Sequence, residues 1–197
     1  MILSNVEIFS ALDEGRLIID PEPSPRIPDL GKEAECPYDT HSVDLRLGNE
    51  LSIPSGGTFA YDHTQPGQLS KLLSQNSQPR RLQEDQPFRL NPNVFVLGIT
   101  LETVGLPIIQ GRDTCLAARI EGKSSRARCG LLVHFTAPTV HPGFHSPLVL
   151  EMINLGPVPI LLTPGMYIAQ LIVEEVKGIP RQLSLNQFHG QKHPDGT

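Results

Sequence analysis

Aromatic residues are scarce in this chain, at 5% of its 197 residues. Nineteen prolines and 17 glycines accompany that scarcity and favour many short strands and turns over long helices. Cysteine is rarer still. Cys36, Cys115 and Cys129 are isolated and odd in number, which argues against a disulfide framework and reads as thiols in a reducing compartment. Cys129, between Arg128 and Gly130, reads as a small core filler. No apolar run approaches the ~20 residues of a membrane span, and the first fifteen residues lack the charged n-region and cleavage site of a signal peptide. The expected location is therefore cytoplasmic, with no membrane partner. Positive charge is not in surplus either: a net charge of −5 argues against general nucleic-acid binding, which needs a basic field. A polyanionic small ligand is still allowed, because it needs only local donors.

Several catalytic signatures are missing as well. Zinc deaminases use an H-x-E followed by P-C-x-x-C, and no histidine or cysteine here has that spacing. His141 and His145 are four apart, but Pro142-Gly143 between them precludes a helix that would bring them together. No zinc site is expected. Neither a Walker loop nor a G-x-S-x-G turn occurs, which removes P-loop kinases and serine hydrolases. No internal repeat is visible.

What is present fits one globular domain with a real core, at 39% hydrophobic and 19% charged residues. Residues 4–15 read as a short amphipathic helix, with Ser4 and Glu7 as a capping box, Ile8 and Leu12 on one face and Gly15 at its end. Leu17-Ile18-Ile19 is a short strand, followed by a proline-rich surface loop. From Ser42 to Leu51 the pattern alternates, with Val43, Leu45 and Leu47 inward. Asp44 and Arg46 then lie on a solvated face or pair across a subunit contact. Residues 54–86 are a polar excursion with one helical turn near Leu69–Leu73. From Phe88 to Val176 short strands recur at roughly 8–12-residue spacing, the pattern of an all-β barrel or sandwich. The polar tail, residues 177–197, is a separate arm beyond the β domain of residues 1–176.

The stretch from Glu121 to Asn154 concentrates the chemistry. Arg128 reads as an interior arginine two residues before Gly130 and the run Leu131-Leu132-Val133, and Glu151 follows Leu148-Val149-Leu150 directly. Charges beside buried strands are costly unless paired. With Ser124, Ser125 and Thr136 near them in the same stretch, they mark either a preorganised polar site or a buried structural ion pair. One carboxylate in a dry pocket can serve as both base and acid, because desolvation raises its pKa towards neutrality. Ser125 and Lys123 suit phosphate, as one hydroxyl donor and one point charge.

The spacing Lys123-Ser124-Ser125-x-x-Arg128-x-Gly130-Leu131, His134-x-Thr136-Ala137, Pro142-Gly143-Phe144 and Leu150-Glu151 resembles the metal-independent dCTP deaminases of the trimeric dUTPase-like superfamily. The resemblance extends to Ser42–Gly48, Phe88–Leu90, Thr100-Leu101-Glu102, Pro164-Gly165-Met166 and Gly190-Gln191, and is poorest at residues 21–38 and 54–86. It implies a mainly β, distorted dUTPase-like barrel or jelly roll with a short N-terminal helix, assembled as a homotrimer. It also implies deamination of dCTP to dUTP and ammonia, with Glu151 as the proton shuttle. Ser124 and the Ala137 carbonyl would orient the attacking water, and Arg128 would polarise the site. Lys123, Ser125, Thr136, His141, Gln170 and Gln191 form the implied nucleotide-binding set, with Gln191 on a C-terminal arm that closes over the nucleotide. Magnesium would arrive on the triphosphate and not on protein carboxylates.

The chain departs from the family at named positions. His141 replaces the aspartate that contacts deoxyribose and positions the hydrolytic water in dUTPases. His145-Ser146 replaces a Ser-Gly pair, and Gln187 stands where lysine is usual, next to Phe188 in place of tyrosine. Two further readings therefore stand beside dCTP deaminase. One is a dUTP pyrophosphohydrolase or bifunctional enzyme, and the other is a nucleotide-binding regulatory protein that has lost turnover.

Overall fold

The computed structural model describes residues 1–28, 36–57, 60, 64, 68–181 and 192–195. In chain order the elements are α1 (Asn5–Asp13), β1 (Ile18–Asp20), β2 (Val43–Pro54), α2 (Gln68–Gln75), β3 (Ser77–Arg81), β4 (Phe88–Leu90), β5 (Phe95–Gly105), β6 (Thr114–Gly122), α3 (Ser124–Ala127), β7 (Leu131–Val133), β8 (Thr139–Val140), β9 (His145–Asn154), β10 (Ile160–Leu162) and β11 (Tyr167–Lys177). Among the described residues nine strands form one antiparallel sheet with the path β7-β9-β5-β2-β11-β6-β8, with β1 added to β5 and β3 to β2. The sheet curls into a half-barrel, and β4 with β10 makes a separate two-stranded ribbon. This is the mainly β architecture expected from the short, regularly spaced strands, with the short helix at the N-terminus.

The helix α1 forms as its apolar spacing predicts, with Ile8 and Ala11 fully buried. Gly15, at φ 68°, takes the left-handed turn that ends it. The capping box is not made: Ser4 sits at the N-cap without a side-chain hydrogen bond.

Sequence alternation misjudged β2. It is a central strand covered on both sides, so Asp44 is 5% exposed and lies among Val43, Leu45 and Leu47, which are fully buried. Its polar residues find partners within the chain. Lys123 Nζ pairs with Asp44, and Arg46 Nε donates to Glu102 Oε1 at 2.6 Å. The Arg46 amide also donates to Glu102 Oε2 at 2.9 Å. These contacts within the chain replace the solvated face expected for Asp44 and Arg46. Glu102 is fully buried, and that burial pushes its carboxyl above the ordinary range in spite of Arg46.

Residues 54–86 hold more regular structure than a surface excursion. The strand β3 pairs with the far end of β2, from Glu50 opposite Arg81 to Pro54 opposite Ser77. Its sequence, SQPRR, carries no apolar alternation, so nothing in the pattern marked it as a strand. An edge position explains how it tolerates Pro79. No helix among the described residues is long and apolar enough to cross a membrane.

Candidate active site

Glu151 owes its position to the parity of β9. Ser146, Leu148, Leu150, Met152 and Asn154 point into the core, and the alternate residues Val149, Glu151 and Ile153 stand half-buried on the other face. Leu97 of β5 is opposite Glu151 in the ladder. On the other side β7 pairs with β9 from Leu131 opposite Asn154 to Val133 opposite Met152. Gly130 makes that entry possible at φ 91°, where a Cβ would collide with the Gly156 backbone.

Just beyond β7, His134 takes φ 69°, a left-handed conformation uncommon for a residue with a side chain. Its amide still donates to the Glu151 carbonyl at 2.8 Å. The turn brings the imidazole to the face that carries Glu151. His134 Nδ1 stands 3.0 Å from Glu151 Oε2, and Nε2 is 2.9 Å from the Ala137 carbonyl oxygen. The first approach is an ion-pair distance between two atoms shielded from solvent.

Burial pushes the Glu151 carboxyl up, but the adjacent His134 outweighs it and holds the group below the ordinary carboxylate range. This corrects the expectation that desolvation alone would raise Glu151 towards neutrality. On His134 burial opposes the charge, and the Glu151 carboxylate beside it overcomes that and raises the imidazole above its ordinary value. The pair therefore favours a carboxylate next to an imidazolium.

These groups line a cavity of about 230 Å³ whose walls include Leu97, Ile120, Val140, Phe144 and Leu148. Glu151, His134, Ala137 and His141 supply its polar groups, and Pro194 and Asp195 of the tail line it too. Thr136 is exposed and does not line it.

A second cavity, of about 380 Å³, is lined by Lys123, Ser124, Ser125, Gln170, Asp44 and Tyr38 among others. Here Gln170 Nε2 donates to Asp44 Oδ1 at 3.2 Å and to Ser42 Oγ at 3.4 Å. Lys123, 8% exposed, is held by Asp44 and lies 5.4 Å from the Tyr167 ring centre. Among the described residues the two cavities share no lining residue. The predicted residues thus fall into two groups within one chain: Glu151, Ala137 and His141 in the first cavity, and Lys123, Ser124, Ser125 and Gln170 in the second.

Arg128 is not interior. It is exposed just past α3, a single turn that carries it outward, and its amide donates to the Ser124 carbonyl at 3.2 Å. The partly buried arginine is Arg126, whose Nε is shielded and without a hydrogen-bond partner. Cys129 is exposed and not a core filler. Gln191, and with it Gln187 and Phe188, lies outside the described residues. Among the described residues no three His, Cys, Asp or Glu side chains are grouped to hold a metal ion. The residue that sequence reasoning missed as a site group is His134. Its adjacency to Thr136-Ala137 was visible, but its contact with Glu151 depends on the β7–β9 register and a positive φ.

A family model described as dCTP deaminase-like matches residues 2–176. The chain belongs to the dCTP deaminase-like family. It is 37% identical over 205 residues to a dUMP-forming dCTP deaminase of Dictyoglomus thermophilum, covering all of this chain and 94% of that one. It is 36% identical over 200 residues to a dCTP deaminase of Marinomonas sp. (strain MWYL1), again covering all of this chain and 94% of the relative. Among solved structures, the 2'-deoxycytidine 5'-triphosphate deaminase of Agrobacterium tumefaciens shares the fold at a TM-score of 0.59 and 20% identity. That match takes in 87% of this chain and 47% of the longer Agrobacterium chain. In this dCTP deaminase-like chain Glu151 and the Ala137 carbonyl line one cavity and are joined through the two ring nitrogens of His134.

Proposed function

We propose that this protein deaminates dCTP, converting it with water to dUTP and ammonia. One observation carries the reading: Glu151 stands in an apolar-walled cavity with the Ala137 carbonyl, tied to it through His134, in a chain matched to the family from residue 2 to 176. Water attacks C4 of the cytosine, and Glu151 takes one proton from it and passes that proton to N3. The tetrahedral intermediate then collapses: the second proton of the former water reaches the amine through the same carboxylate, ammonia leaves, and C4 keeps the oxygen as a carbonyl. Positioned proton transfer of this kind contributes about 10²–10⁴-fold. The ionised state favoured for Glu151 is the form that can accept the first proton.

Ser124 and Arg128 complete this scheme from a neighbouring chain. Their separation from the Glu151 cavity, and the exposure of Arg128, support a homotrimer whose sites lie at subunit contacts, as the superfamily resemblance implies. Lys123, Ser125, Thr136, His141, Gln170 and Gln191 are assigned to the nucleotide. Magnesium enters as part of the substrate, on the triphosphate. The absence of zinc-deaminase spacing in the sequence supports a zinc-independent reaction, and three free cysteines support a cytoplasmic setting.

A second reading is favoured by the likeness to the dUMP-forming enzyme of Dictyoglomus thermophilum: deamination followed by pyrophosphate release. His141 stands against it, because the superfamily's hydrolytic acid is missing there. Incubation with dCTP, dCMP, CTP and dUTP, with ammonia and pyrophosphate measured separately, tests both. Ammonia from dCTP without pyrophosphate is the expected result. Pyrophosphate in equal amount would move the protein to the second reading, and neither product from any nucleotide would overturn both.

A further inference from the structure

A third cavity, of about 420 Å³, lies between β2, α2, β3 and the described tail residues. It adjoins the Glu151 cavity, with which it shares Pro194 and Asp195. Its basic wall is Arg80 and Arg81 of β3, and neither guanidinium makes a hydrogen bond or ion pair among the described residues. Ser74 and Ser77 add hydroxyls, and the Ser77 oxygen is shielded from solvent without a hydrogen-bond partner. Two carboxylates also line the space, Glu50 and Asp195. Glu50, opposite Arg81 in the ladder, has its Oε2 2.9 Å from His193 Nδ1.

The contrast with Lys123 is informative. Its ammonium is already held by Asp44, whose other oxygen accepts from Gln170. The two arginines of β3, by contrast, make no such ion pair among the described residues. A guanidinium presents its N–H groups in a planar fork that matches a phosphate's oxygens, and a hydroxyl adds a further donor. The volume falls within the range of small-molecule pockets.

We propose that this cavity binds the phosphate groups of a polyphosphate ligand through Arg80, Arg81 and Ser77. The proposal does not rest on the deamination reading. Two sources share this chemistry: the phosphates of a nucleotide whose base occupies the adjoining Glu151 cavity, and a separate polyphosphate compound.

The test is calorimetric titration of the full chain with inorganic tripolyphosphate. Replacing both arginines (R80A/R81A) is expected to weaken binding by about tenfold or more, since hydrogen bonds to charged groups are each worth about that factor. R80K/R81K keeps the charge without the fork and should recover only part of the loss, and S77A should lose less than the double alanine variant. Both arginines are exposed, so the variants are expected to keep the parent's circular dichroism and melting curve. Repeating the titration on Glu151→Gln protein saturated with dCTP identifies the source. Loss of tripolyphosphate binding there assigns the site to the nucleotide's own phosphates, and retained binding assigns it to a second ligand. Binding by R80A/R81A within about twofold of the parent, or no tripolyphosphate binding by the parent, overturns the proposal.

Discussion

His134 Nδ1 stands 3.0 Å from Glu151 Oε2 while its Nε2 contacts the Ala137 carbonyl at 2.9 Å. One imidazole thus links the proposed proton shuttle to the carbonyl assigned to the water. The link crosses two strands and a turn, and it exists because β7 ends next to Glu151 and His134 adopts φ 69°. A residue held in a sparsely populated conformation at the edge of a cavity is where strain and function are commonly found together. Rigid placement of this kind lowers the reorganisation needed when a water is deprotonated.

Glu151→Gln tests the shuttle itself. Glutamine keeps the shape and hydrogen-bonding capacity of the side chain but cannot take a proton. Turnover of dCTP should fall by about 10²–10⁴-fold, with nucleotide affinity close to the parent and a melting temperature lowered by loss of the His134 ion pair. Ammonia release and equilibrium binding measured on the same preparation decide it. A folded, nucleotide-bound variant with near-normal turnover would remove Glu151 from the mechanism.

His134→Gln tests the positioning role. Without the imidazole, burial of Glu151 is opposed only by backbone hydrogen bonds and its pKa rises, so the acid limb of the kcat/KM profile should move to higher pH. Stability follows a separate sign. Glu151, held below its ordinary 4.5, contributes stability present above that pH and lost as pH falls through its folded value. His134, held above its ordinary 6.5, contributes stability present below that pH and lost as pH rises through its folded value. The Tm difference between parent and H134Q should therefore be largest between pH 4.5 and 6.5 and shrink on both sides. A merely structural histidine would leave the acid limb where it is.

The position of Glu151 beside a buried strand was legible from the apolar run Leu148-Val149-Leu150 directly before it, while the strand's alternating burial was not. The mainly β character followed from strand spacing in the same way. The polar residues of β2 were not legible. Period-two alternation places Asp44 and Arg46 on one face but cannot say whether that face meets solvent or another part of the chain, and here Lys123 and Glu102 meet it. Arg128 failed for a related reason: proximity in sequence to a buried strand does not carry across the one-turn helix α3. The His134–Glu151 contact joins residues seventeen apart through a ladder register, which no local pattern encodes.

Arg128 offers a test of the shared site. Because it is exposed in the single chain, Arg128→Ala should change subunit stability by no more than about 0.5 kcal/mol, while turnover is lost if it acts across a subunit contact. Mixing inactive Arg128→Ala with inactive Glu151→Gln chains under exchange conditions should then restore activity, since some contacts combine an intact arginine with an intact glutamate. Sedimentation of the parent should give a trimer. No recovery on mixing, from proteins that demonstrably exchange subunits, would place both residues in one chain's site.

Asn154 shows how the end of β9 supports the site. It is completely buried, and its side chain makes three hydrogen bonds: Nδ2 donates to the Leu90 carbonyl at 3.0 Å and to the Val158 carbonyl at 2.8 Å, and Oδ1 accepts from the Gly156 amide at 2.9 Å. These bonds fix β4 and the turn after β9 against the strand that carries Glu151, at the point where Leu131 of β7 pairs with Asn154. Asn154→Ala leaves buried backbone groups unpaired, each at a cost of about 1–3 kcal/mol, so a total loss of roughly 2–5 kcal/mol is expected. Asn154→Asp retains the acceptor but loses both donors and adds a charge where there is no solvent, so it should be at least as damaging above neutral pH. Urea unfolding of the two variants measures the cost, and the m-value should stay at the parent's if the folded state remains compact. Because the same asparagine anchors the β7–β9 ladder, the alanine variant should also lose turnover at temperatures where it is still folded. A loss of stability below about 1 kcal/mol would mean that the three partners find other donors and acceptors, and that the register of His134 against Glu151 is held elsewhere.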